Sequence, residues 1–138
     1  MKKILITRKL LKESEEKALK TFDSKLNGND ELYSQSKLIE LSEGYDAILT
    51  SLTDKMDEDT ISKLPDSIKV ISNFAVGFGN IDLEAAKNRG IVVTNTPDVL
   101  TDATAEIGVL LILGACRRAS EGIDSARQGG WKLSLIHI

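Results

Sequence analysis

Apolar residues along this chain fall into short bursts separated by amphipathic or turn-rich stretches. Lys3 to Thr7 (KILIT), Asp46 to Thr50 (DAILT), Ile68 to Ser72 (IKVIS) and Ile91 to Thr94 (IVVT) are brief runs rich in β-branched residues. Such runs predict strands buried on both faces. Between the first two, Leu11, Ala18, Leu19 and Phe22 recur at roughly helical spacing among Glu and Lys, predicting an amphipathic surface helix. Asp23 to Tyr33 is dominated by turn formers, Asn27-Gly28 above all, and predicts at most a weak strand. Ser36 to Glu43 predicts a short helix stopped by Gly44. Another helix begins at the acidic trio Asp57, Glu58 and Asp59, which favours a helix amino end, and stops at Leu64-Pro65. A fourth runs from Asp82 to Arg89, with Gly90 and Ile91 placed for a Schellman ending.

The alternation of strand and helix argues for an α/β fold with a parallel sheet covered by helices. A different pattern starts after Asn95-Thr96-Pro97-Asp98. Thr101 or Asp102 is placed to cap a helix, Thr101 being favoured, and Ile107 to Cys116 is apolar on every face. From Asp102 to Arg118 such a helix spans about 25 Å. An all-round apolar helix belongs between layers or subunits, and left uncovered it predicts association. Glu121 to Trp131 adds one or two amphipathic turns.

Composition narrows the class. The 138 residues are 41% hydrophobic and 28% charged, with net charge −3. This mild acidity carries no basic footprint for nucleic acid. Lys2 and Lys3 precede only three apolar residues, and the longest apolar run is Val109 to Leu113, so neither a signal-peptide core nor a membrane span is expected. The lone Cys116 makes no internal disulfide, and a soluble, cytoplasmic setting follows. Beside Arg117 its thiol invites a reactive reading, but no catalytic His accompanies it, and a small buried residue is the expected role.

The stretch with chemistry in it is Asn73-Phe74-Ala75-Val76-Gly77-Phe78-Gly79-Asn80-Ile81-Asp82, between a strand and a helix. Gly77-Phe78-Gly79 suggests the start of a dinucleotide fingerprint. The third glycine position is Asp82, however, whose carboxylate caps the helix and puts negative charge where a pyrophosphate would sit. A second reading is a concave backbone site for one small carboxylate, and a third is a plain tight turn. Spacing alone leaves the last two open.

Phe74 to Asp82, Arg89-Gly90-Ile91, Thr94 to Asp102 and Ala105-Glu106 together closely resemble the D-isomer-specific 2-hydroxyacid dehydrogenases, most of all the glyoxylate and hydroxypyruvate reductases. Gly79 departs from the Asp common in that family. The resemblance runs from Lys3 to about Trp131 and implies a flavodoxin-like substrate domain at 1–99. An interdomain helix and the start of a Rossmann domain would follow at 100–132. It implies hydride transfer from NAD or NADP, bound mainly outside this stretch, to a small 2-oxo acid such as glyoxylate or hydroxypyruvate, in a homodimer.

By the same resemblance Val76 and Gly77 bind the substrate carboxylate, Leu52 lines the substrate pocket, and Val76 and Thr104 face the cofactor. The family's catalytic Arg, Glu and His are expected downstream of Trp131, so the chain alone is expected to be inactive. Phosphoglycerate dehydrogenase, a free-standing flavodoxin-like binding or regulatory module and a short Rossmann protein using Gly77-Phe78-Gly79 are the alternatives. Residues 133–138 (LSLIHI) break the pattern and read as a non-native tail, which discounts His137, the only His, as a proton donor.

Overall fold

The computed structural model describes residues 1–130. The predicted tail, with Trp131 and His137, lies outside the described residues. The chain forms two compact units, one ending at Val99 and the other beginning at Leu100.

The first unit alternates β1 (Lys3–Ile6), α1 (Lys12–Thr21), β2 (Asp23–Lys25), α2 (Gln35–Leu41), β3 (Ala47–Thr50), α3 (Glu58–Lys63), β4 (Val70–Asn73), α4 (Leu83–Asn88) and β5 (Val92–Thr94). All pairings are parallel, and the strand order is β2-β1-β3-β4-β5. This is the flavodoxin-like order, with a switch point between β1 and β3. Right-handed crossovers therefore send α1 to one face and α2, α3 and α4 to the other.

Coverage of the two faces is unequal. Ile48 and Ile71, paired in register, face Leu38 of α2, Ile61 of α3 and Ala86 of α4, with Met56, Leu64, Ile68, Ile81 and Ile91 completing the core. The opposite face carries Leu49, Val70 and Val92, and Val92 remains 59% exposed. β3 and β4 thus alternate buried and half-buried positions, not the two-sided burial expected of them, whereas β1 buries the adjacent Leu5 and Ile6 on opposite faces. The reason is that α1 is the one helix of this unit on that side, and none of its residues is fully buried.

Local signals acted where they were predicted. Asp57 accepts from the Thr60 N–H at 3.0 Å and Asp82 from the Ala85 N–H at 2.9 Å, so each caps its helix. Gly90 takes φ +65°, and the Ile91 N–H reaches back to the Ala86 carbonyl at 2.9 Å, closing a Schellman turn. The fourth strand begins two residues later than predicted. The Ile68 N–H is engaged by the Pro65 carbonyl in a turn at 3.1 Å, and ladder pairing starts only at Val70.

The second unit contains α5 (Thr101–Cys116) and α6 (Ala119–Arg127). The N-cap of α5 is Leu100, not Thr101, and it makes no side-chain cap bond. Thr101 already has helical geometry as the first residue of the helix. Ile107 and Val109 through Leu113 are each more than half exposed. Cys116, expected to be buried, is exposed as well, because α6 lies against the Leu110, Leu111 and Gly114 side of α5 and leaves the sulfur uncovered.

Candidate carboxylate site at the sheet's C-terminal edge

Parallel strands bring their carboxyl ends to one edge, where ligands of open α/β sheets bind. Here the neighbours β3 and β4 end in register at Thr50 and Asn73. The segment after β3, Ser51 to Asp54, and the loop after β4, Phe74 to Asp82, therefore emerge side by side. A bridge between Met56 and Ile81 ties them further down.

Two buried or half-buried amides join these segments. Asn73 Nδ2 donates to the Gly77 carbonyl at 2.9 Å and to Asn80 Oδ1 at 3.1 Å, while Asn73 Oδ1 accepts from Thr50 Oγ1 at 3.1 Å. Asn80 Nδ2 donates to the carbonyls of Ser51 and Asp54, both at 3.0 Å. Every hydrogen of both amide groups is thus engaged, which leaves each side chain a single orientation.

The segment after β3 is anchored from its other side too. Asp54, 2% exposed, accepts from Thr7 Oγ1 at 2.6 Å and from the Ser51 N–H at 2.9 Å. Arg8, at the end of β1, donates to Thr53 Oγ1 at 2.7 Å and grips Asp30 through Nε and Nη2 at 2.8 and 2.9 Å. Hydrogen bonding to Arg8 and to the Lys9 N–H holds the Asp30 carboxyl well below the usual carboxylate range. Between these anchors Leu52 projects outward, 61% exposed. It is not a core residue, and its apolar surface is free to meet a ligand.

The loop after β4 has a distinct polarity. Its carbonyls are occupied: Ala75 O accepts from the Thr96 N–H at 2.9 Å, Val76 O from Asn95 Nδ2 at 2.8 Å, and Gly77 O from Asn73 Nδ2. Among the described residues, the N–H groups of Val76, Gly77, Phe78 and Gly79 meet no acceptor. Gly77 and Gly79 lack positive φ, and an added Cβ would find no heavy atom within 4 Å at either. The chain itself does not require glycine there; the open space suits a group approaching from outside.

Open N–H donors of this kind can hold a small anion. The first turn of α4 is already closed by the Asp82 carboxylate, which would repel a pyrophosphate. Of the residues expected to act, Leu52, Val76 and Gly77 share this edge. Thr104 belongs to the second unit, exposed in the first turn of α5. Asn73, Asn80 and Asn95 were not singled out in the sequence, although an Asn directly ending an apolar strand run is itself a signal of a polar duty. Among the described residues no cluster of three His, Cys, Asp or Glu is placed to hold a metal ion, and no helix is long and apolar enough to cross a membrane.

Comparison with known proteins agrees with the fold. Residues 4–125 match the model of the D-isomer specific 2-hydroxyacid dehydrogenase catalytic domain. A glycerate dehydrogenase of Hyphomicrobium methylovorum is 42% identical over 130 residues, covering 94% of this chain and 40% of the relative. A glyoxylate reductase of Thermococcus litoralis is 39% identical over 134 residues, covering 97% of this chain and 40% of the relative. A solved NADPH-dependent glyoxylate/hydroxypyruvate reductase of Sinorhizobium meliloti, in complex with NADP and malonate, superimposes with a TM-score of 0.76 at 27% identity, over 97% of this chain and 43% of its own. The chain therefore spans about 40% of the length of its curated relatives, and the match over residues 4–125 makes it a member of the D-isomer-specific 2-hydroxyacid dehydrogenase family.

Proposed function

We propose that this chain is the substrate-binding part of an NAD(P)-dependent reductase that converts a small 2-oxo acid, glyoxylate or hydroxypyruvate, to the 2-hydroxy acid. The observation that carries this is the row of open N–H donors from Val76 to Gly79, at the edge where Leu52 also emerges. Backbone N–H groups held in a fixed array are suited to a carboxylate, because charge-assisted bonds of this kind are strong and need no reorganisation when the ligand arrives. Leu52 offers an apolar wall against the carbon chain. Glyoxylate and hydroxypyruvate meet both conditions, and the relatives named for glyoxylate and glycerate support the choice.

Residues 1–99 then form the substrate domain, and those from Leu100 onward lead into a nucleotide-binding domain. NAD or NADP supplies the hydride when bound. The loop after β4 has no place for its pyrophosphate, so in this chain Val76 and Thr104 are assigned only the nicotinamide-facing surface. Proton donation to the substrate oxygen falls to groups beyond Trp131. A homodimer, with the apolar face of α5 covered, and a cytoplasmic location complete the proposal.

The test is a titration of the isotope-labelled 138-residue chain, read on its amide resonances. Malonate should move the Val76 and Gly77 amides saturably, while NADH and NADPH should show no micromolar binding. Micromolar nucleotide binding that moves Gly77 to Gly79 would mean a phosphate cradle, and the carboxylate reading would fall.

A further inference from the structure

The open donors of the loop are directed by residues elsewhere in the fold. A peptide unit is planar and trans, so its carbonyl and the following N–H point in opposite directions. Wherever a carbonyl is pinned, the next N–H is aimed. In this loop three successive carbonyls are pinned: Ala75 O by the Thr96 N–H, Val76 O by Asn95 Nδ2 and Gly77 O by Asn73 Nδ2. The N–H groups of Val76, Gly77 and Phe78 are consequently turned away from those partners, and none meets an acceptor among the described residues.

The three pins differ in what else they do. Thr96 acts through its backbone, so no side-chain change removes its bond. Asn73 is buried and shared with Thr50 and Asn80. Asn95 is half-buried just after β5, and its one side-chain partner is the Val76 carbonyl. Gly77 adds a reason for needing such a pin. Glycine resists rotation of its flanking peptides less than any other residue.

We propose that Asn95 is a positioning residue: by holding the Val76 carbonyl it orients the Val76–Gly77 peptide and aims the Gly77 N–H at the substrate carboxylate. Asn73 does the same for the Gly77–Phe78 peptide. The inference rests on the carboxylate reading of the loop, and it concerns the orientation of the donor, not its identity.

The experiment compares the 138-residue chain with Asn95→Ala and Asn95→Gln, using malonate as the probe and recording affinity, amide shifts and Tm. Loss of one well-aimed bond to a charged group corresponds to about tenfold weaker binding or more. Asn95→Ala should weaken malonate about tenfold and move the Gly77 amide resonance in the free protein, with Tm close to that of the wild type. Asn95→Gln keeps the donor and should recover most of the affinity. If the wild type binds malonate and Asn95→Ala binds it equally well, the inference is overturned while the carboxylate reading stands. If Tm collapses in Asn95→Ala and Gln restores neither folding nor affinity, Asn95 is a structural pin and the inference is equally overturned. If the wild-type amides do not respond to malonate, the carboxylate reading itself fails.

Discussion

Replacing Asn80 tests whether the two loops of the site are joined by a specific amide or only lie near each other. The Asn80 side chain takes part in three hydrogen bonds, giving two to the carbonyls of Ser51 and Asp54 and accepting one from Asn73. Each such bond contributes about 1 kcal/mol net. Asn80→Ala should therefore cost about 3 kcal/mol if the abandoned partners stay dry. Asn80 is half-buried, so water reaches part of the gap and about 1.5–3 kcal/mol is the working range. In urea, with a slope of about 1.5 kcal/mol/M, the unfolding midpoint should fall by about 1–2 M.

Asn80→Asp sharpens the test because it preserves shape. At neutral pH it places a carboxylate oxygen against two carbonyl oxygens where Asn80 donates at 3.0 Å. The repulsion should raise the folded-state pKa of the new carboxyl above its unfolded value of about 3.9. Stability relative to wild type should then be worst at pH 7 and should recover as pH falls through that raised pKa, since a protonated carboxyl can donate again. A loss below about 0.5 kcal/mol for the Ala variant, within the range of ordinary surface changes, would refute the reasoning. So would an Asp variant indifferent to pH.

The remaining predictions use other parts of the structure. Ile48 is fully buried between β1 and β4 under α2 and α3, and Ile48→Ala should cost about 2–5 kcal/mol in the same urea assay. Asp30, Asp46 and Asp57 are all held below the usual carboxylate range, chiefly by hydrogen bonds from Arg8, Lys2 and Lys55 respectively. Their folded pKa values being depressed, their contribution is present above pH of about 4 and is lost as pH falls further, so melting temperature should drop on acidification and Asp30→Asn should flatten that drop. The apolar residues exposed along α5 should make the chain self-associate in sedimentation. Leu111→Glu, at a position 67% exposed, should shift it toward monomer without changing the melting of the first unit.

Much of this fold was legible because its signals are local. Asp57 and Asp82 cap helices through bonds to residues three positions on, and Gly90 ends a helix through its own backbone freedom. Short β-branched runs marked four of the five strands. The fifth, Asp23–Lys25, was weak in sequence because it is a three-residue edge strand held by its pairing with β1. The glycine loop and Asp82 were likewise enough to weigh a carboxylate against a dinucleotide, since both the capping carboxylate and the missing third glycine are neighbours in sequence.

What only the tertiary structure decided involves partners far apart in the chain. Nothing near Leu52 reveals whether it is core or exposed; that depends on Arg8, Asp54 and Asn80 clamping the residues on either side of it. Val76 and Gly77 read as donors in any extended loop. The Val76 N–H takes its direction from Thr96, which holds the Ala75 carbonyl, while the amides of Asn95 and Asn73 hold the Val76 and Gly77 carbonyls and, through the rigidity of the peptide plane, direct the N–H groups of Gly77 and Phe78. Burial at Cys116 and along α5 likewise depends on what packs against the helix, which residue type cannot state. Sequence determined which groups this loop carries, and the fold determined where they point, because local bonding sets conformation within a turn while orientation is imposed by contacts across the sheet.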